Sequence, residues 1–213
     1  MSYAVSMSTV ASRREQYSQA TRAALLAAAT RRFAEQGFAG TALEDIAADI
    51  QATRGAIYHH FANKTALFQA VFEELEHDAL EQSAAAAARG KDPWEAAFLA
   101  LDVFLERCCD PVYGKIVWQE GPIAFGWPQW LAAEEALAYG FIQRLLSDLM
   151  ETGQLERQPL QTTTRLVFGM LNAAGMTLAD APEPAKPQLK TEYLTMIGRM
   201  ASALRPQPSP AFE

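Results

Sequence analysis

Residues 41–64 contain two short helical patterns separated by a three-residue turn, and they read Thr41-Ala-Leu-Glu-Asp-Ile-Ala-Ala-Asp-Ile-Gln-Ala-Thr-Arg-Gly-Ala-Ile-Tyr-His-His-Phe-Ala-Asn-Lys64. Thr41 and Glu44 have the spacing of a capping box, which predicts the start of the first helix. Thr53 is placed as the N-cap of the second helix. Two short helices joined in this way are typical of a helix-turn-helix, whose second helix enters the DNA major groove.

The same stretch carries a family resemblance. The segments 53–61 and 63–64 match a recognition-helix pattern, and the upstream segments 21–29 and 33–38 match at the same spacing to Thr41. On these residues the chain resembles the TetR family of bacterial transcriptional regulators, over about residues 18 to 72. Ala52 replaces the usual valine, and Gln51 replaces the usual turn glycine. A glutamine in a left-handed turn costs ~1 kcal/mol relative to glycine.

Composition and charge place limits on the possible partners. Of the 213 residues, 50% are hydrophobic and 20% are charged, as in ordinary globular proteins. No apolar run is long enough to span a membrane, and the N-terminal residues lack the features of a secretory signal. The net charge of −7 is unevenly divided, because residues 1–70 carry about +2 and the remaining residues about −9. A local basic face is enough for phosphate contacts, so the asymmetry fits a DNA-facing head on an acidic body.

Helical periodicity along the whole chain, with no alternating strand pattern, predicts an all-α fold of about nine helices. We expect a disordered leader (1–17), a helix-turn-helix head (18–64), a helical body for ligand binding and dimerisation (65–204) and a disordered proline-rich tail (205–213). A long fourth helix should join the head to the body. The predicted helices are Ser18–Gln36, two in 41–61, Lys64–Arg89, 93–109, 111–119, 128–152, 159–178 and 188–204, with a glycine- and proline-rich linker over 121–128.

The resemblance implies a DNA-binding surface on the head. Arg54 is expected to read a guanine edge, and Gly55 and Ala56 to allow close approach to the groove. Thr41, Tyr58, His60 and Lys64 are expected to contact phosphates, which fix register without reading sequence. The full set is Thr41, Thr53, Arg54, Gly55, Ala56, Tyr58, His59, His60 and Lys64. The alternative is a structural three-helix bundle with exposed polar residues.

Other chemistry has little support in the sequence. The three histidines, His59, His60 and His77, do not have the spacing of a metal site, and no catalytic residue or cofactor is predicted. The adjacent Cys108 and Cys109 are the only cysteines, which favours a reduced, cytoplasmic protein, with a thiol sensor as the alternative.

Aromatic residues are concentrated in the body. Most of them should fill a core, but four tryptophans near a breaker-rich linker indicate a pocket for a small apolar effector. Within the predicted pocket Gln119, Arg144 and Asn172 would orient the ligand. The predicted lining is Phe98, Phe104, Trp118, Gln119, Phe125, Trp127, Trp130, Phe141, Arg144, Phe168 and Asn172.

The last two predicted helices offer a third surface. Small residues there permit close helix approach, and an apolar stripe follows them. Internal packing alone could use both, whereas the resemblance implies a homodimer joined as a four-helix bundle. The predicted interface is Gly169, Ala173, Leu189, Tyr193, Met196, Ile197, Met200 and Leu204.

These features predict a dimeric, ligand-responsive transcriptional regulator, which is not an enzyme and for which a repressor is favoured. It would bind a near-palindromic operator in double-stranded DNA and be released by the apolar effector. One alternative is an all-α small-molecule-binding protein or enzyme without operator binding. The other is an activator, or a ligand-independent regulator, of the same fold.

Overall fold

The computed structural model describes residues 13–206, which form nine helices and no strand. The all-α prediction is confirmed. None of these helices has the length and apolarity needed to cross a membrane. The helices are α1 (Arg13–Gly40), α2 (Leu43–Asp49), α3 (Arg54–His60), α4 (Lys64–Ala87), α5 (Pro93–Cys109), α6 (Pro111–Tyr113, Gly114–Glu120 and Gly121–Phe125), α7 (Trp127–Glu151), α8 (Leu160–Asp180) and α9 (Lys186–Ser202).

The first helix starts earlier than the sequence predicted. Residues 13–17, assigned to a leader, already belong to α1, so its start at Ser18 was wrong. The rest of the predicted leader and residues 207–213 of the predicted tail lie outside the described residues. At the other end, Gly37 has φ 71°, so the predicted break at this glycine is confirmed.

The turn between α2 and α3 has the predicted backbone. Gln51 has φ 55°, the left-handed conformation that glycine usually supplies. Its amide donates to the Ala48 carbonyl at 3.0 Å, and the Ala52 amide donates to the Ala47 carbonyl at 2.9 Å. This pair of bonds is a Schellman motif, which satisfies carbonyls at the end of α2.

The predicted linker over residues 121–128 is wrong. This segment is helical as far as Phe125, and Gly126 with φ 79° makes the break before α7. The middle part of α6, Gly114–Glu120, is a π-helix. A proline in a helix displaces the carbonyl four residues before it, and the wider π turn ahead of Pro122 accommodates that displacement.

One core runs through the head and the body without interruption. It joins buried residues of α1 and α3, such as Phe33 and Ile57, to Phe68 and Phe72 of α4 and Trp118 of α6. In the body, α4 packs along α5, and α8 packs against both α6 and α7. This arrangement leaves a cavity among α4, α5, α7, α8 and α9, to which α6 contributes Tyr113.

Candidate functional site

The outer face of α3 presents most of the predicted DNA-contacting residues. Thr53 caps the helix, because its hydroxyl accepts the Ala56 amide at 3.2 Å. Ile57 is fully buried on the opposite face, so the helix can be exposed only on its outer side. The exposed residues are Thr53, Arg54, Gly55, Tyr58 and His59, with Ala56 and His60 partly buried.

Arg54 lies at the start of this face with 72% of its side chain exposed. Its Nε lies 3.2 Å from Glu44 Oε1, and its guanidinium carbon lies 5.6 Å from the centre of the Tyr58 ring. These contacts raise the pKa of Arg54, through the hydrogen bond to Tyr58 first and then the charge of Glu44. Arg54 therefore points out of the helix as a charged group, held by partners that are themselves exposed.

Thr41 and Lys64 were assigned to phosphate contacts, and the structure uses both side chains inside the head. Thr41 is 2% exposed, and its hydroxyl donates to the Gly37 carbonyl at 2.8 Å, so it does not form the predicted capping box. Lys64 Nζ donates to the carbonyls of Phe38 at 2.7 Å and Thr41 at 3.0 Å. The two side chains bind the chain around Phe38 to the start of α4, a structural role that the sequence did not predict.

A further pair of charges holds α1 to α2. Arg32 donates to both carboxylate oxygens of Asp49, at 2.6 and 2.7 Å. The hydrogen bond from Arg32 lowers the pKa of Asp49. Such a bidentate pair fixes the relative orientation of α1 and α2.

Glu120 joins the head to the body, and the sequence analysis missed it. The side chain is 6% exposed and belongs to the π-helical part of α6. Its Oε2 accepts the Phe38 amide at 2.7 Å, and its Oε1 lies 2.9 Å from Lys115 Nζ. A Cβ at Gly37 would lie 2.8 Å from the same carboxylate, so only glycine leaves room for this contact. No local sequence signal indicates a contact across 82 residues.

The body contains a cavity of about 230 Å³ whose lining is mainly apolar. Five of the predicted ligand-binding residues line it: Phe98, Phe104, Phe141, Phe168 and Asn172. Aliphatic residues that the sequence analysis did not select supply much of the remaining wall, among them Leu101, Ile142, Leu145 and Met170.

The prediction that Trp118, Trp127 and Trp130 line the pocket is wrong. Trp130 is fully buried, and its indole nitrogen donates to the Val117 carbonyl at 3.0 Å. Trp118 packs so closely on Gly175 that a Cβ there would lie 2.6 Å from the ring. Trp127 is 51% exposed on the surface. Trp94, which was not in the predicted set, is the tryptophan that lines the cavity.

Three more predicted pocket residues lie elsewhere. The Gln119 amide donates to the Ala179 carbonyl at 2.9 Å and so stabilises the contact between α6 and α8. Phe125 packs its ring between those of Phe68 and Phe72, at centroid distances of 5.3 and 5.4 Å. Arg144 is exposed on α7 and does not line the cavity.

Besides the predicted Asn172, the polar part of the cavity wall includes two carboxyl groups that were not predicted to line it. Glu76 and Glu134 are 3% and 2% exposed, and the Tyr113 hydroxyl donates to Glu76 Oε1 at 2.5 Å. Burial raises the pKa of Glu76 to about 7. Burial, and then the charge of Glu76, raise the pKa of Glu134 well above its usual range. Glu134 Oε1 has no hydrogen-bond partner among the described residues.

The predicted dimer interface divides into two sets. Met196 and Met200 are more than half exposed, although Met200 also lines the cavity. Gly169 and Ala173 are exposed on α8, where Leu166, with 71% exposure, extends the same face. The other predicted residues face inwards. Leu189 and Tyr193 pack against the core, Ile197 is 8% exposed at the cavity, and Leu204 lines the cavity while remaining 40% exposed.

The cysteines and histidines show no arrangement of a reactive site. Burial raises the pKa of both Cys108 and Cys109, whereas a thiol sensor requires a lowered pKa. Within residues 13–206, no group of three potential metal ligands converges.

Comparisons with known proteins agree with this geometry over most of the chain. Residues 25–71 match the family described as bacterial regulatory proteins, tetR family. Residues 94–204 match the family described as the tetracyclin repressor-like C-terminal domain. The HTH-type transcriptional regulator TtgR of Pseudomonas putida is 45% identical over 73 residues, which are 33% of this chain and 35% of that protein. The chain thus covers about a third of that relative's length.

Solved structures extend the similarity to the whole fold. A TetR-family transcriptional regulator from Pectobacterium atrosepticum is 27% identical with a TM-score of 0.78, covering 93% of this chain and 100% of that one. RolR in complex with resorcinol is 22% identical with a TM-score of 0.65, covering 94% of this chain and 100% of that one. At the lower identity, the likeness concerns the fold.

Proposed function

The chain belongs to the TetR family of bacterial regulatory proteins, and from this premise we propose that it is a ligand-responsive transcriptional regulator. The head (18–64) would bind operator DNA, and the body (65–204) would bind an effector and a second copy of the chain. A DNA partner implies a cytoplasmic location. We favour a repressor, which the effector releases from DNA.

The exposed face of α3 is the observation that carries this proposal. Arg54, Tyr58 and His59 are exposed along one side of a short helix whose other side is anchored by the buried Ile57. Gly55 has no side chain and Ala56 has only a methyl group, so the helix backbone can approach the base edges at these positions. Arg54 has the length and the fork of donors that suit a guanine edge, and its ion pair with Glu44 is solvent-exposed and therefore weak.

Dimerisation would place two heads on one operator. Leu166, Met196 and Met200 are large apolar side chains left exposed on α8 and α9. Gly169 and Ala173 lie on the same face of α8, where small residues permit close helix packing. A two-fold pair of such subunits would present two α3 helices to successive major grooves, about 34–36 Å apart, of a near-palindromic site.

Coupling between the cavity and the head would pass through α4 and α6. Glu76 and Tyr113 on these two helices meet at the cavity wall, and Glu120 on α6 binds the Phe38 amide of the head. A ligand that shifts α6 would therefore shift the position of the head. A coupling free energy of about 1–3 kcal/mol weakens operator binding about 5- to 150-fold.

Selection from a random duplex DNA library tests the DNA-binding part. The protein should enrich a near-palindromic sequence whose half-sites are about one helical turn apart. Recovery of no preferred sequence would overturn the operator proposal and would favour the alternative, a binding protein that does not act on DNA.

A charged residue on the exposed stripe tests the dimer. Met196→Glu should yield monomers by light scattering, because the carboxylate would be desolvated in the interface. Glu192→Gln on the same helix is a control that changes a charge without adding one. A dimer that survives Met196→Glu would show that this face of α9 is not the interface.

A further inference from the structure

The cavity contains one polar feature that its own residues do not satisfy. Glu134 is 2% exposed at the wall, and its Oε1 accepts no hydrogen bond from any described residue. Glu76 lies on the same wall and has a partner in the Tyr113 hydroxyl. Buried oxygens without a partner are rare in native proteins, and each one needs an explanation.

The remaining lining restricts what could satisfy this oxygen. Ser83, Thr163 and Asn172 are the neutral polar residues of the wall, and the aromatic and aliphatic side chains make up almost all the rest. Among the described residues that line the cavity, none is a lysine, arginine or histidine. A ligand carboxylate would therefore meet two glutamates with no cation to balance it. A wholly apolar ligand would leave Glu134 Oε1 unpaired.

We propose that the cavity binds an amphiphilic amine, with an apolar or aromatic body among the ring-bearing side chains and its ammonium group at Glu134 and Glu76. This inference deepens the proposed function, on which it rests for the premise that the cavity is the effector site. It replaces the wholly apolar effector expected from the sequence with a molecule that carries one charged end.

The charges around the two carboxyl groups favour a cation at this position. On α5, Arg107 stacks over the Tyr113 ring at 5.1 Å and pairs with Asp78, and it lies outside the cavity lining. Its charge and that of His77 act on Glu76. Glu134 faces only Glu76, apart from the buried Cys108 and Tyr113, whose own pKa values it helps to raise. Within residues 13–206, therefore, no cation balances Glu134.

Binding should release a proton. In the empty cavity burial favours the protonated carboxyl group. An arriving ammonium group keeps its own protons, donates one hydrogen bond to the carboxylate oxygen, and favours loss of the carboxyl proton to solvent. No bond other than the O–H bond of the carboxyl group is broken.

Three compounds that differ only at one end test the proposal: 4-phenylbutylamine, 4-phenylbutan-1-ol and 4-phenylbutyrate. Calorimetric titration of the full-length protein near pH 7 should give the amine an affinity about tenfold or more above the alcohol, with the acid weakest. The apparent enthalpy for the amine should differ between phosphate and Tris buffers, because a released proton is taken up by the buffer.

A pair of neighbouring variants locates the effect. Glu134→Gln should lower the amine affinity about tenfold and leave the alcohol affinity within about twofold. Glu135→Gln, the same substitution at a partly exposed carboxylate paired with Arg165, should change neither. Equal binding of amine and alcohol, tighter binding of the acid, failure of all three to bind, or identical behaviour of the two variants would each overturn the proposal.

The proposed function is measured separately, with the selected operator duplex. If the amine binds as expected but operator affinity is unchanged by it, the ligand site stands and the ligand-responsive regulator fails. If operator binding is intact but the amine does not outbind the alcohol, the inference about ligand chemistry fails and DNA binding stands.

Discussion

The head and the body place their polar groups in opposite ways. In the head, the buried Thr41 and the half-buried Lys64 donate hydrogen bonds to backbone carbonyls, and Arg32 donates to both oxygens of Asp49. In the body, Glu134 is more deeply buried than Lys64 and has an oxygen without a partner. Satisfied polar networks give a rigid scaffold, whereas an unsatisfied buried group is a place where a ligand can add stability.

The same difference explains how each region would act. The head needs a fixed shape, because the position of α3 relative to its partner helix must match the DNA grooves. The body needs an internal space whose filling changes the balance between two arrangements, since a ligand can shift an equilibrium only through its differential affinity. Glu120 is buried between the two regions and resembles the polar groups of the head, because both of its carboxylate oxygens have partners.

The largest effect should come from the pH dependence of the body. The pKa of Glu76 is raised from 4.5 to about 7 in the folded protein, so folding favours the protonated carboxyl group. The stability that this group contributes to the folded state is complete below about pH 4.5 and is lost as the pH rises through 7. At 1.36 kcal/mol per pKa unit, the loss is on the order of 3 kcal/mol. Glu76→Gln should therefore be more stable than wild type at pH 8 and similar to it at pH 5.

Urea unfolding at pH 5, 6.5 and 8 and one fixed protein concentration would measure this difference. Glu74→Gln, at an exposed position of the same helix, controls for the general change in net charge. Parallel pH profiles for wild type and Glu76→Gln would show that the buried carboxyl group is not under strain, and the contrast with the head would be lost.

Close packing around Trp118 should give the next effect. Gly175→Ala places a Cβ 2.6 Å from the ring, and overpacking of this kind costs about 1–3 kcal/mol. Gly140→Ala, in open space on the helix α7, should be neutral or stabilising by up to about 1 kcal/mol. The midpoint of thermal unfolding compares them. An unchanged midpoint for Gly175→Ala would mean that the Trp118 ring can move. Trp118 would then again be a candidate for the ligand site, as the sequence predicted.

In the head, Arg54 and Lys64 should behave differently. Arg54→Ala should cost about 1–3 kcal/mol of operator affinity and relax the base preference at one operator position, without lowering the stability of the fold.

Lys64→Ala should lower the melting temperature, because two carbonyls lose a donor, and should leave the salt dependence of DNA binding unchanged. Gel shifts at several salt concentrations measure both. A flatter salt dependence for Lys64→Ala would show that the Lys64 side chain contacts a DNA phosphate.

Local signals explain why the head was predicted well. Thr53, Asn63 and Gln51 act on backbone groups within a few residues of themselves, so their roles follow from the order of the residues. Thr41 was the exception, because its hydroxyl turns back to Gly37 instead of capping α2. That choice depends on the break in α1 and on Lys64, which reaches the Thr41 carbonyl across 23 residues.

The cavity could be predicted only in part, because six helices distant in sequence form it. Phe98, Phe104, Phe141 and Phe168 were found by their aromatic character, but Trp130 has the same character and is core. The difference depends on which side of each helix faces the cavity, and the aromatic character of a residue does not reveal that side. Nothing in a single sequence marks the pairing of Glu76 with Tyr113 across 37 residues.

The smallest effect should come from the turn before α3, and it tests the strain in an otherwise satisfied head. Gln51 holds φ 55°, a conformation that costs a residue with a Cβ roughly 1 kcal/mol or more and costs glycine almost nothing. Gln51→Gly also adds freedom to the unfolded chain, which offsets part of the gain. We expect the variant to be more stable by less than about 1 kcal/mol.

Ala48→Gly, at an exposed position within α2, adds similar freedom to the unfolded chain without relieving strain, and should lose about 1 kcal/mol of stability. Urea unfolding of both variants isolates the strain as the difference between them. If the two variants lose the same stability, the left-handed conformation of Gln51 has no net cost. The two Schellman hydrogen bonds of Gln51 and Ala52 would then compensate fully for the strain.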